Sequence, residues 1–300
     1  MRFGKYPKEI IGLVALIVAA LLWGIEFVVE KDLLAYYGPN WANSIRFFIS
    51  SILLLYIFRA KVVLSGKKDW KKGMVSGIAM GFGYSFQTMG LKHISAGVNA
   101  FISSGYIVLI PIILWGMNKK APTKWVIIST FVALMGVVSL SSSETEVFFW
   151  GLGIGELFTL IGACFYALGI VLSEKHAQEM DVNLLASIQC IGTFIVSIFM
   201  AALLEATPDY VDGVIIVEFI YLILLASMGT QILFAFGMKY VSSNKAGIIF
   251  LLESVSAMIL GWVFLDEEIL FTQILGGVLI IASILISYQD RPSQKTATNI

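Results

Sequence analysis

The residues of this chain that could do chemistry are a handful of ionisable and polar side chains set inside long apolar runs. Glu26 lies about sixteen residues into a run that opens at Ile10, which is about 24 Å of helical rise and puts it in the outer half of that segment. Glu253 lies about eight residues into a later run, nearer its inner half, and Arg46 is the only cation at comparable depth. A carboxylate or guanidinium in hydrocarbon costs at least about 2.5–3.5 kcal/mol, so each needs a partner, a wet cavity or a proton. Glu26 is therefore a candidate for recognising a substrate amine or carrying a coupling proton, the alternative being a structural pair with Arg46. Glu253 is the second candidate, against a helix-packing hydrogen bond or an ion pair. Arg46 itself is read as structural, anchoring a helix junction or snorkelling toward water.

Uncharged groups extend the pattern. Tyr84, Gln87 and Gln231 interrupt otherwise apolar segments and are candidates to line a central cavity, or else to hydrogen-bond between helices. Trp23, Phe27, Tyr106 and Tyr166 could wall such a cavity against ions while admitting amphipathic solutes. Pro111, mid-segment, lacks a backbone donor and is a candidate flexing point. Other chemistries find no support. Cys164 and Cys190 have no CxxC partner, His93 and His176 lie far apart, and no metal or other cofactor is expected. The absence of a GxxxxGK[ST] segment removes a nucleotide-driven pump. An intramembrane enzyme acting on a lipid or isoprenoid would need a base and nucleophile in reach of each other, yet the clustered acids Asp266, Glu267 and Glu268 sit in a turn. A non-transporting scaffold or sensor is the third reading.

The elements that must position these groups follow from composition. With 58% apolar and 13% charged residues, the chain departs from a soluble domain, for which about 45–50% and about 25% are usual. Lys plus Arg balance Asp plus Glu at twenty each, which leaves no basic field for nucleic acid. Hydropathy divides the chain into ten runs, about 10–29, 41–58, 73–91, 96–117, 124–140, 151–173, 183–204, 215–238, 246–265 and 271–288. They are long and continuously apolar, so they predict helices and not a barrel. The first run spans a bilayer and lacks a clear cleavage site, so it reads as a retained helix and not a signal peptide. Of the twenty Lys and Arg, seventeen fall on one side of the predicted membrane, Lys31 and Lys92 on the other, and Arg46 inside. Positive residues stay cytoplasmic, so both termini are expected in the cytoplasm, in accord with an even number of spans. The outer connections are acidic, with Glu144, Glu146, Glu205, Asp209 and Asp212 among them.

The halves also repeat. Gly90, Lys92 and Ser95 fall on Gly237, Lys239 and Ser242 at an offset of 147; Glu30 and Lys31 fall on Glu174 and Lys175 at 144; Asn40, Ser44 and Ile45 fall on Asn183, Ser187 and Ile188 at 143. The same alignment sets Tyr106 against Glu253, Tyr84 against Gln231, and Arg46 against Gln189. Five spans per unit would insert the second unit upside down. Such inverted repeats serve transporters, because two similar halves can exchange conformations around a central site.

These residues resemble the EamA-type permeases of the drug/metabolite transporter superfamily across nearly the whole chain. Leu22-Trp23-Gly24 with Phe27-Val28, Arg46-Phe47, Asn99-Ala100-Phe101 and Ile110-Pro111 resemble the family's first unit. Leu252-Glu253-Ser254, Gly261-Trp262 and Leu275-Gly276-Gly277 resemble the second. Departures are Ser254 where the family has Pro, Asp266-Glu267 for its Gly-Glu pair, a basic loop at Asn118-Lys119-Lys120, and a charge at Glu26 where the family has a neutral residue. The resemblance implies an all-α integral membrane protein of ten transmembrane helices in two inverted five-helix repeats, 1–143 and 144–290, with a cytoplasmic tail over 291–300. It further implies a secondary transporter in the cell membrane, taking small organic metabolites, amino acids or related amphiphiles by analogy, with export favoured and protons as a coupling ion. The expected partners are the substrate, protons and membrane lipids, the chain acting as a monomer or homodimer.

Overall fold

The structure, a computed structural model, describes residues 6–94, 96–140, 153–207, 213–265 and 270–290. Among them every element is helical: α1 (Tyr6–Leu33), α2 (Pro39–Ile57), α3 (Arg59–Val63), α4 (Lys67–His93), α5 (Ala96–Ser103), α6 (Tyr106–Asn118) and α7 (Lys124–Leu140), then α8 (Ile154–Glu179), α9 (Val182–Leu204), α10 (Gly213–Tyr221), a π-helical stretch (Leu222–Gly229), α11 (Thr230–Tyr240), α12 (Ser243–Phe250), α13 (Leu252–Leu265) and α14 (Phe271–Ser287). The acidic connections at 144, 146, 209, 212 and 266–268, together with Ser95 and the tail from 291, lie outside the described residues.

The solvent logic is that of a membrane protein. Large apolar side chains face outward, among them Phe131, Phe199, Val217 and Leu285, while Ser76, Ser85, Thr88, Ser173, Ser187 and Ser197 are buried. Without a hydrophobic force between helices in lipid, small residues and hydroxyls make the contacts. Ser44, Ser173 and Ser187 donate to the carbonyls four residues back, at 2.6, 2.6 and 2.7 Å, which satisfies each hydroxyl within its own helix. Five helical stretches are long and apolar enough to cross a bilayer, over Lys8–Leu33, Ala96–Asn118, Ile154–Glu179, Val182–Leu204 and Ile215–Tyr240.

Early and late helices interleave. α4 packs along α8 and α9, α2 along α9, α1 along α11 and α13, and α7 along α14. Glycines set the approach. A Cβ on Gly77 would lie 2.8 Å from both Cα and O of Gln189, and one on Gly192 would lie 2.8 Å from the carbonyl carbon of Gly77, so α4 and α9 touch backbone to backbone. The α1–α11 and α8–α4 crossings match each other closely. Gly12 would bring a Cβ to 3.0 Å from Cβ of Tyr240, and Gly155 would bring one to 2.9 Å from Cβ of His93; the facing glycines are Gly237 and Gly90.

Helix ends are tied by side chains from other elements. Glu205, at the end of α9, accepts from the backbone N–H groups of Asn40 (2.8 Å) and Trp41 (3.0 Å), so a carboxylate caps the start of α2 behind Pro39. Lys31 donates to the carbonyls of Leu91 and Ile94 at 2.6 and 2.7 Å and closes the end of α4. Asp181 caps α9 through Asn183 N (2.9 Å) and Leu184 N (3.2 Å) and pairs with Lys61 at 2.8 Å. Partial burial pushes its carboxyl up, but the Lys61 ammonium and these N–H groups outweigh burial and hold it below the usual aspartate range.

Four of the predicted runs take a different form. The fourth and ninth runs are not continuous: the fourth breaks at Ser104–Gly105, where Gly105 N bonds to Ile102 O at 3.0 Å, and the ninth breaks at Leu251, where N bonds to Ile248 O at 3.2 Å. In the fourth run this interruption precedes Pro111, which lies inside α6. The eighth run widens into π-helix before α11, and α1 runs four residues past its apolar stretch.

The close α4–α9 crossing predicts that Gly77→Ala lowers the melting temperature of the purified protein, since overpacking against backbone costs about 1–3 kcal/mol. Gly116→Ala, whose Cβ would meet nothing within 4 Å, should melt unchanged in the same assay.

Candidate functional site

One turn of α1 separates Glu26 from Glu30, so both carboxylates project from the same face toward α2. There Arg46, wholly buried, donates through Nη1 to Glu26 Oε1 and holds Nη2 3.4 Å from Glu30 Oε1. Its Nε donates to Asn43 Oδ1 (2.9 Å), Asn43 Nδ2 donates to Thr88 Oγ1 (3.0 Å), and Thr88 Oγ1 donates to Glu30 Oε1 (3.3 Å). The circuit closes on itself and ties α1, α2 and α4. The guanidinium also lies 4.9 Å from the ring centre of Phe47 and 5.2 Å from that of Tyr84. Arg46 is thus held inside the bundle where α1, α2 and α4 meet, and it does not snorkel to water.

Beside this circuit is a cavity of about 40 Å³, lined by Trp23, Glu26, Phe27, Glu30, Met80, Tyr84, Gln87, Tyr106, Tyr166, Ile170, Phe234, Phe250 and Glu253. At about 10–15 Å³ per water, it has room for roughly three waters. The Tyr166 hydroxyl donates to Gln87 Oε1 (2.7 Å) and Gln87 Nε2 to Ser103 Oγ (2.9 Å), while the Tyr84 and Tyr166 rings meet edge to face at 5.3 Å. The Tyr106 hydroxyl donates to Glu253 Oε1 at 3.2 Å, each residue standing just after the break in its own span. Trp23 packs on Phe250 and Phe234 at 5.2 and 5.9 Å between ring centres.

Eight of the residues expected at a site from the sequence line this one cavity: Trp23, Glu26, Phe27, Tyr84, Gln87, Tyr106, Tyr166 and Glu253. Gln231 does not. It is buried in α11, which packs against α1 and α9, and of that helix only Phe234, one turn on, reaches the cavity. Pro111 also lies away from it and borders a separate surface cleft. Glu30, Met80, Ile170, Phe234 and Phe250 are lining residues not picked out from the sequence. Glu30 escaped because a charged Glu30-Lys31 pair ends a hydropathy run, although its spacing of four from Glu26 was the available signal. Phe234 stands at the repeat position of Gln87, a signal masked by its apolar type. Among the described residues no group of His, Cys, Asp and Glu could hold a metal ion.

The sequence profile of the EamA-like transporter family matches residues 10–142 and again 153–289. The chain belongs to that family. Membership makes it a multi-pass membrane transporter of the drug/metabolite superfamily. Similar proteins are also named as transporters. A protein of Archaeoglobus fulgidus described as an uncharacterized transporter is 29% identical over 279 residues, covering 93% of this chain and 86% of the relative. The uncharacterized transporter YvbV of Bacillus subtilis is 26% identical over 290 residues, covering 92% and 91%. A solved crystal structure shares the fold at a TM-score of 0.76 over 95% of this chain and 98% of its own, with 16% sequence identity. In this EamA-family chain the circuit around Arg46 yields a stability prediction. Arg46→Gln leaves two carboxylates buried without a cation, and breaking a buried pair in this way costs about 3–5 kcal/mol. Fluorescence-detected size exclusion and thermal melts should show a marked loss of folded protein, and a smaller loss for Glu26→Gln, which leaves Arg46 with Glu30. An Arg46→Gln protein as stable as the unaltered chain would remove the anchoring role.

Proposed function

We propose that this EamA-family protein is a secondary transporter that moves small organic metabolites, amino acids or related amphiphiles, across the cell membrane by alternating access, with export from the cytoplasm as its direction. In this reading ten spans form two inverted five-helix repeats, 1–143 and 144–290, with both termini and the tail 291–300 cytoplasmic. The observation that carries it is the hydrogen bond between Tyr106 and Glu253 at the cavity. The two residues are 147 apart, the offset at which the halves align, and residues related by a twofold operation touch only near its axis. The reading therefore sets the cavity across the axis between the halves, where exchanging their conformations would open it to opposite sides.

Two further equivalences support the repeat. The Gly12–Gly237 and Gly155–Gly90 crossings are related by offsets of 143 and 147. The interruptions at Ser104 and Leu251 are related by 147, so each half carries one broken span whose second segment begins at the cavity. Broken spans at a repeat interface suit transporters, because backbone freed from a helix can line a wet site.

Proton coupling falls to Glu253 before Glu26. Glu26 is committed to Arg46, whereas Glu253 meets a neutral hydroxyl, so its charge has no fixed counterpart. Counterflow of a pooled, isotopically labelled metabolite mixture in proteoliposomes tests the function. Saturable exchange of one metabolite class is the expected result, and Glu253→Gln should remove the response to an imposed proton gradient. Folded, correctly inserted protein that exchanges nothing from the pool would count against transport of such metabolites.

A further inference from the structure

The cavity holds more acid than base. Glu26, Glu30 and Glu253 all line it, and among the described residues Arg46 is the one cation in ion-pair reach of any of them. If all three carboxylates ionise, two negative charges remain without a counter-ion in a low-dielectric interior, which must be met by protons or by a cation. An anionic cargo would worsen this imbalance.

Two further observations point to a ligand. Trp23 is 8% exposed, and its indole N–H has no acceptor; Glu26 is 5% exposed, and its Oε2 has no donor. Buried polar atoms without partners are costly, so a donor and an acceptor left open at one cavity describe the complement of what the cavity takes. Around them Trp23, Phe234 and Phe250 are in mutual contact, with ring centres 5.2–5.9 Å apart, and Phe250 is one turn before Glu253. Aromatic faces attract a desolvated ammonium and accept an apolar body equally well.

We propose that the cavity is a binding site for a small organic ammonium carrying a hydrogen-bond acceptor beside its amine. Glu253 is the counter-ion, the open oxygen of Glu26 takes a second ammonium hydrogen, the Trp23 N–H meets the acceptor, and Phe234 and Phe250 wall the apolar body. This deepens the transporter reading, on which it rests, by choosing the amine among the amphiphiles that reading allows. The ligand enters once the halves part, since the present cavity has room only for waters.

Calorimetric titration of the purified full chain in detergent tests the site with probes that share one aromatic body: phenylalaninol (cation), phenylalanine (zwitterion), N-acetylphenylalaninol (neutral) and 3-phenylpropionate (anion). Phenylalaninol should bind at least about tenfold more tightly than the other three, as expected for a charge-assisted hydrogen bond in a buried site. Glu253→Gln should remove that preference, with a thermal melt to verify folding. Trp23→Phe should weaken phenylalaninol but not phenethylamine, which has no hydroxyl for the indole to reach. Equal binding of the neutral or anionic probe to the unaltered protein would overturn the site, whatever the variants do. Retention of the preference in folded Glu253→Gln protein would overturn its role as counter-ion. Counterflow of phenylalaninol separates the two claims: binding without exchange leaves the site and rejects transport of this ligand. Exchange of another metabolite class with no ammonium binding rejects the site and leaves the transporter.

Discussion

A single buried guanidinium shared by two carboxylates is the constraint on which the arrangement around the cavity depends. Arg46 cannot lose its proton in a protein, so once it lies inside the bundle its charge must be met there. Glu26 and Glu30, one turn apart on α1, meet it, and Asn43 and Thr88 add hydrogen bonds that join the group to α2 and α4. The orientation of α1 against α2 and α4 is thereby specified by polar geometry, which apolar packing in lipid would leave loose. Tyr84, under the guanidinium, links this circuit to Tyr166 and Gln87 on the cavity wall.

Close glycine crossings complement that circuit. α4 and α9 approach until backbone meets backbone at Gly77 and Gly192, and the Ser76 and Ser187 hydroxyls fold back on carbonyls of their own helices. The breaks at Ser104–Gly105 and Leu251 act differently. Each shortens a span into two pieces, and the second piece carries Tyr106 or Glu253 into the cavity at its first turn. A closely packed frame of α2, α4, α8 and α9 thus lies beside spans that are broken in the middle. In the proposed alternating-access cycle, motion would be expected at those breaks and not within the frame.

The cavity brings several features together. Its acids outnumber its base, its aromatic side chains touch one another, and an indole donor is left open among them. At about 40 Å³ it offers water-sized space beside buried carboxylates, where electrostatic interactions are stronger than in bulk water.

The amino-acid sequence by itself determined that the chain is a helical membrane protein, because apolar runs longer than about 18 residues have no other stable solution in a bilayer. It also singled out Glu26, Glu253 and Arg46, since charges inside such runs are conspicuous, and the offset of 147 already paired Tyr106 with Glu253. The tertiary structure decided what those charges meet. Glu26 went to Arg46 and Glu253 to a hydroxyl, a division that depends on which helices touch and has no trace in hydropathy. Glu30 was hidden because it falls where an apolar run ends, and burial beyond that end comes from α2 and α4. Gln231 was drawn wrongly toward the cavity because sequence equivalence preserves a position in the repeat but not its neighbours. The two breaks differ in legibility: Ser103-Ser104-Gly105 is a turn signal that the surrounding apolar residues masked, whereas apolar residues continue through Leu251 and leave only packing between helices to decide where the backbone departs from the helical path.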